Sequence, residues 1–330
     1  MKCQNIKEGN DCVQTQAQIS SLPKKETKKP SPFWKQVKKH WQLYIVFAVP
    51  LAFLICFSYI PMYGIIIAFK DFTATQGIFG SPWAGMKYFN QFFNSYQFVR
   101  LLSNTLILSV YGLIAGFPIP ILLALSLNEC KNVRFKKAVQ MVTYAPYFIS
   151  TVVLVSIMSL MLAPRTGLVN HLITALGGTE INFMGEPTLF RHLYVWSGVW
   201  QSMGFSSVIY IAALAGIDPT LHEAAVIDGA SKIKRIWHID LPGIAPTIII
   251  NLILNTGSIM SIGYEKVLLM QNSLNMSKSD IIATYVYRIG LEDRQYSLST
   301  AVNLFNSVIN CILLVVVNQI ARKFSETSLW

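Results

Sequence analysis

Charged side chains are scarce in this sequence, 13% of 330 residues, against about 25% in soluble domains. With 53% apolar residues and a mean hydropathy of +0.45, that scarcity excludes an ordinary water-soluble domain and points to a bilayer. Cysteine is scarce too. Its five copies (Cys3, Cys12, Cys56, Cys130, Cys311) show no CxxC spacing and no cluster with histidine, so neither a metal site nor a disulfide framework is indicated. No Gly-x-x-x-x-Gly-Lys-Ser/Thr stretch exists to cradle nucleotide phosphates. The central parts of the apolar runs lack Asp and Glu, which argues against a secondary transporter with ion-coordinating groups at mid-membrane. No cluster of Asp, His or Arg gathers at one membrane face, as an enzyme acting on lipid-linked sugars would need. No catalytic residue is assigned. A cleavable signal peptide is absent as well: the first apolar run begins only near Leu43 and is too long for a signal-peptide core, so it reads as a retained anchor.

What the sequence does hold is six apolar runs near the ~20 residues needed to cross a hydrocarbon core. They cover 43–69, 101–127, 139–162, 192–215, 245–264 and 301–321, and they predict an all-α integral membrane protein with six crossing helices. Pro50, Pro61, Pro118, Pro120 and Pro146 fall inside them, which is tolerated in membrane helices and predicts kinks. Residues 1–40 are polar and Lys-rich and predict a flexible tail, seated at the interface by Trp34 and Trp41; residues 323–330 form a short second tail. The net charge of +11 follows topology, not nucleic-acid binding: nine lysines lie in residues 1–39. The segments 1–42, 128–138, 216–244 and 322–330 together hold 18 of the 27 Lys and Arg. By the positive-inside rule both termini are cytoplasmic.

The segment between runs four and five is unlike the others. Asp218 is a good N-cap, Pro219 takes the first helical position, and Gly229 stands where a helix would stop in a left-handed cap. Ser231 can cap a second short helix, with Pro242 forcing a turn before run five. Ala224 and Ala225 leave a face that another protein can approach closely, bracketed by Glu223 and Asp228. The same chemistry also suits an ordinary helical loop packed on its own bundle.

The stretch Glu223-Ala-Ala-Val-Ile-Asp-Gly-Ala230, with nine residues between Gly229 and Ile239 and then Leu241-Pro242, resembles the EAA loop of permease subunits of ATP-binding-cassette (ABC) importers. Asn104-Thr105-Leu106 and Thr143-Tyr-Ala-Pro-Tyr-Phe148 fit the same family. The resemblance implies a type I importer (MetI-like) permease core over 97–322, preceded by a first helix and outer loop at 41–96, in a bacterial cell membrane. It implies that Glu223, Ala224, Ala225, Asp228, Gly229, Ala230, Leu241 and Pro242 couple this chain to a separate ATPase. The implied partners are a second, homologous permease in a heterodimer, two ATPase subunits that bind ATP and Mg, and an extracellular solute-binding lipoprotein. The permease itself would carry no cofactor. Thr284-Tyr-Val-Tyr-Arg-Ile-Gly-Leu291 and Tyr296–Phe305 are similar to the LplB-like oligosaccharide branch, which implies a carbohydrate cargo; an amino-acid or peptide permease is the alternative.

Two polar stripes are candidates for the translocation path. Thr247, Asn251, Asn255, Ser258 and Glu265 fall on one face of run five and its edge, and Asn303, Asn306, Ser307 and Asn310 on one face of run six. Such amides face protein or water, as helix–helix glue or as a cavity lining. Glu265 could take sugar hydroxyls or pair with Lys266 or Arg288. Trp196 and Trp200, four apart, and Tyr264 offer flat faces to a sugar ring. His222 belongs to the loop with no metal role.

Overall fold

The computed structural model describes residues 39–324; the tails expected up to residue 38 and beyond 324 lie outside the described residues. The chain divides into two compact units at Tyr63 and Gly64. Five helices are long and apolar enough to cross a membrane: α1 (Trp41–Phe69), α2 (Phe98–Asn128), α5 (Pro187–Ala215), α7 (Lys232–Gly257) and α9 (Tyr296–Phe324). A sixth crossing is a broken pair, α3 (Val133–Phe148) and α4 (Thr151–Met161), bent by 98°. Among the described residues there is no strand beyond an isolated bridge between Lys70 and Trp83. The architecture is the expected all-α membrane bundle.

The kink expected at Pro146 is found as a full break in run 139–162, and two other expectations need correction. Pro146 cannot donate to a helical ladder, the chain tightens into a 3₁₀ turn at Ala145–Phe148, and Ser150 restarts the helix by accepting the Val153 N–H at 3.3 Å. Pro242 does not force a turn. Lys232–Gly257 is one continuous helix, because a π turn at Ile236–Asp240 precedes the proline and lets the Leu241 N–H reach the Ile236 carbonyl. Widening the helix there leaves the missing proline donor without consequence. In α1 the same device stands in the same register before Pro61: a π turn at Ile55–Tyr59, with the Ile60 N–H on the Ile55 carbonyl. Every described side chain from residue 39 to 63 is exposed.

The second correction concerns run five. Its helix ends at Gly257, residues 258–263 are non-helical, and a separate helix, α8, follows at Tyr264–Met270. The five-residue polar stripe therefore does not exist as one helical face, and Glu265 belongs to α8.

Within the second unit, apolar clusters fix the helices to one another. At one end Ile121, Ala124, Leu125, Tyr210, Leu214 and Ile244 join α2, α5 and α7. At the other, Phe92, Leu101, Met260, Ile282, Tyr285, Leu298 and Val302 join α2 and α9 to the segment 282–292. Gly204 lets α5 press against α3, where a Cβ would collide with the Thr143 carbonyl oxygen.

The second of these ends also carries a buried ionic knot. Asp280 is fully buried and accepts from Arg288 at 3.0 and 3.1 Å, from Thr284 at 3.1 Å and from Arg100 at 3.4 Å. Asn104 donates to the carbonyls of Ser277 and Asp280, both at 3.0 Å, and takes Arg191 on its own oxygen at 2.9 Å. Pairing and hydrogen bonding this complete offset the cost of burying the carboxylate. The knot ties α2 and α5 to the 276–292 segment.

Candidate docking loop and transmembrane grooves

The segment between α5 and α7 builds a short helix, α6 (Pro219–Ile227), by local chemistry. The Asp218 carboxylate accepts the Thr220 N–H at 2.9 Å, and that bond, with the Thr220 hydroxyl, holds its pKa below the ordinary carboxylate value. At the other end Gly229 has φ +73°, the left-handed conformation. The Ala230 N–H then reaches the Ala225 carbonyl at 2.9 Å and the Gly229 N–H the Val226 carbonyl at 3.1 Å. That pair of bonds is a Schellman cap. No atom stands within 4 Å of where a Cβ would lie on Gly229, so dihedral preference alone, not crowding, requires glycine there.

One side of the loop is clasped to the bundle. Glu129, at the end of α2, faces Arg235 at 3.4 Å and Lys232 at 4.0 Å. His222 Nε2 lies 3.3 Å from Asp240 Oδ1, and Asp240 is 1% exposed. Ile217, Ile236 and Leu241 pack on the apolar cluster at that end. Pro242 sits within the continuous helix. The other side of α6 is open: Glu223, Ala224 and Asp228 are exposed, as are Leu221, Val226 and Ile227. Ala225 and Ala230 are half-buried between the two sides. The loop thus presents small, apolar and acidic groups on a face that its own chain does not cover.

Sequence reasoning missed the clasp. Glu129, Arg235 and Asp240 carry no local signal, since Glu129 meets Arg235 across 106 residues. His222 is in the loop as expected, and it stands 3.3 Å from the buried Asp240, whose oxygens have no hydrogen-bond partner among the described residues.

The polar candidates separate into several places. Asn255 and Ser258 line a cavity of about 360 Å³ between α2, α5 and α7, together with Ser109, Ser202 and Ser206. Asn251 donates its amide to the Thr247 carbonyl at 2.9 Å. Asn303 and Asn306 line a second groove of about 380 Å³ with Tyr264. Asn306 and Asn310 also pin the break in run five. The Asn310 oxygen accepts the Met260 N–H at 2.9 Å, its amide donates to Ser261 at 2.7 Å, and Asn306 donates to the Met260 carbonyl at 3.2 Å. Ser109 holds the Ile259 carbonyl from α2. Glu265 is exposed and pairs with neither suggested cation, because Arg288 is committed to Asp280 and Lys266 donates to the Tyr194 carbonyl at 3.0 Å. Trp200 and Trp196, both half-exposed, line a third groove of about 480 Å³ between α4 and α5.

Residues 116–326 match the family described as binding-protein-dependent transport system inner membrane component. The chain is 42% identical over 294 residues to Protein LplB of Bacillus subtilis (strain 168), covering 89% of this chain and 92% of that one. It is 42% identical over 288 residues to the polygalacturonan/rhamnogalacturonan transport system permease protein YteP of the same organism, covering 87% and 90%. A crystal structure of a bacterial ABC transporter involved in the import of the acidic polysaccharide alginate contains a chain with the same fold. Its TM-score is 0.82 at 37% identity, over 88% of this chain and 99% of that one. With the sequence match and the shared fold in agreement, this chain belongs to the family of inner membrane components of binding-protein-dependent transport systems.

Proposed function

We propose that this chain forms half of the translocation path of an ATP-driven oligosaccharide importer, with residues 218–242 as the dock for a separate ATPase. The observation that carries this reading is α6, a doubly capped helix clasped on one side and left open on the other by its own chain. Its acidic residues Glu223 and Asp228 suit charge-assisted contacts with a basic cleft, and Ala224 and Ala225 allow close approach. Leu241 and Pro242 stand inside α7, just past its π turn. Because Lys232–Gly257 is one continuous helix, displacement of α6 is delivered along a rod of about 39 Å to the break at 258–263. A near-complete switch between inward-open and outward-open states needs a differential affinity of about 5.5 kcal/mol, supplied by ATP binding to the partners.

The assembly that follows has a second homologous permease, two ATPase subunits holding ATP and Mg, and an extracellular solute-binding lipoprotein, with no catalysis in this chain. The excess of Lys and Arg in the docking-loop segment and its neighbours supports a cytoplasmic placement of both termini. A carbohydrate cargo is supported by the relatives named above and by a neighbour solved with an alginate pentasaccharide-bound periplasmic protein, which is similar at TM-score 0.83 and 36% identity. Asn255, Ser258, Asn303, Asn306 and the half-exposed Trp200 then line the path, with Asn251, Glu265 and Asn310 at its edges. Co-purification with a P-loop ATPase tests the dock: Glu223→Lys and Gly229→Asp should abolish association and ATP-driven uptake. Unchanged association in both variants would sink the assignment.

A further inference from the structure

One face of α5 carries Thr188, His192, Trp196 and Trp200 at intervals of four, a slowly winding stripe about 18 Å long. Two grooves meet along it. The first, of about 410 Å³, is lined by Thr188, Arg191, His192, Lys278 and Tyr111; the second, of about 480 Å³, holds His192, Trp196 and Trp200 against α4. His192 belongs to both. Tyr111 on α2 braces the stripe, taking the Trp196 indole N–H at 2.8 Å and meeting His192 Nδ1 at 2.8 Å. The Trp196 donor is therefore satisfied within the chain, and what this side chain offers outward is its ring.

The mouth of the stripe has cations without counter-ions. Among the described residues neither Arg191 nor Lys278 has a carboxylate within ion-pair distance. Asp280 is taken by Arg288 and Arg100, and Glu186 accepts the Thr188 hydroxyl at 3.0 Å. Asn104 holds one Arg191 amino group, while Arg191 Nε is buried with no acceptor. A fork of guanidinium donors matches the planar, bidentate geometry of a carboxylate.

Building on the carbohydrate reading, we propose that this stripe is a binding track for acidic saccharides. Uronate carboxylates pair with Arg191 and Lys278 at its mouth, and the pyranose faces stack on Trp196 and Trp200. A neutral oligosaccharide would use the rings and leave the cations unanswered. Charge complementarity at the mouth thus selects uronates over their neutral counterparts.

The test uses the assembled transporter with its binding protein in proteoliposomes. The probes are trimers of galacturonate, mannuronate and glucuronate, each beside its carboxyl-reduced, neutral counterpart. The wild type should take up at least one uronate trimer at least about tenfold faster than its neutral twin. Lys278→Gln and Arg191→Gln should remove that preference, with Arg191→Lys retaining part of it. Lys278 is exposed and makes no contact that folding needs, so Lys278→Gln serves even if the Arg191 variants fail to fold. Trp196→Ala and Trp200→Ala should lower uptake of both forms. Uptake of neutral trimers at an equal or higher rate overturns the track and leaves the carbohydrate reading standing. Uptake of neither form, with an amino acid or peptide carried instead, overturns both. A preference lost when phosphatidylglycerol replaces phosphatidylcholine, but only with Arg191 intact, would assign the mouth to a lipid headgroup and overturn the track.

Discussion

The two ends of the bundle are held in opposite ways. At the end carrying residues 276–292, Asp280 is fully buried under two arginines and a threonine, and Asn104 adds three further bonds. At the end carrying the proposed docking loop, the clasp is an Arg235–Glu129 ion pair at 3.4 Å, a weaker Lys232–Glu129 pair at 4.0 Å, a 3.3 Å approach of His222 to Asp240, and a margin of half-buried aliphatic side chains. The contrast teaches where movement is easy. A buried network has few alternative arrangements of similar energy, whereas thin clasps around a capped helix allow the helix to shift while its own backbone stays satisfied. The coupling role proposed for α6 needs that combination.

The contrast can be broken most forcefully at the tight end. Asp280→Ala leaves Arg288 and Arg100 facing each other without their acid, and should cost about 3–5 kcal/mol, read as a large fall in Tm of the purified protein. A change in Tm within error would show the knot to be ornamental. Next comes the middle: Asn310→Leu strands the Met260 N–H, with an expected loss of about 1–3 kcal/mol and faster amide exchange at Met260. At the loose end, Gly229→Ala forces a side chain into left-handed geometry and should cost about 1 kcal/mol. It should leave the Tm nearly fixed while weakening ATPase association. The smallest effect is set by pH. Asp218 has a lowered pKa, so its contribution is complete above its unfolded value near pH 4 and is lost as pH falls through the folded one. Exchange at the Thr220 amide should therefore quicken only under acid conditions, with no comparable change at neutral pH.

The same contrast explains what was legible in the sequence. Asp218, Pro219 and Gly229 announce α6 because each acts on residues two to five positions away. The apolar runs announce five helices for a similar reason, since hydropathy is additive along the chain. Residues 258–263 defeat that reading. Their apolar Ile259, Met260 and Ile262 continue the helical pattern, and the break is held by Asn310, Asn306 and Ser109 from other helices. The Asp280 knot is invisible for the same cause, because Arg100 and Asn104 lie more than 170 residues upstream. The polar stripe of run six reads as facing protein or water, and both outcomes are found: Asn303 lines a groove, while Asn310 secures a backbone turn.

The π turn before Pro242 has a consequence in helical phase. Inserting one residue per such turn offsets everything on one side of it by about 100° relative to the other. The direction in which α6 points is thus partly a matter of counting residues between Ser231 and Pro242. Deleting one residue from Ile236–Asp240 would remove that offset and aim the loop at a different quadrant, while returning to Pro242 the clash that the π turn absorbs.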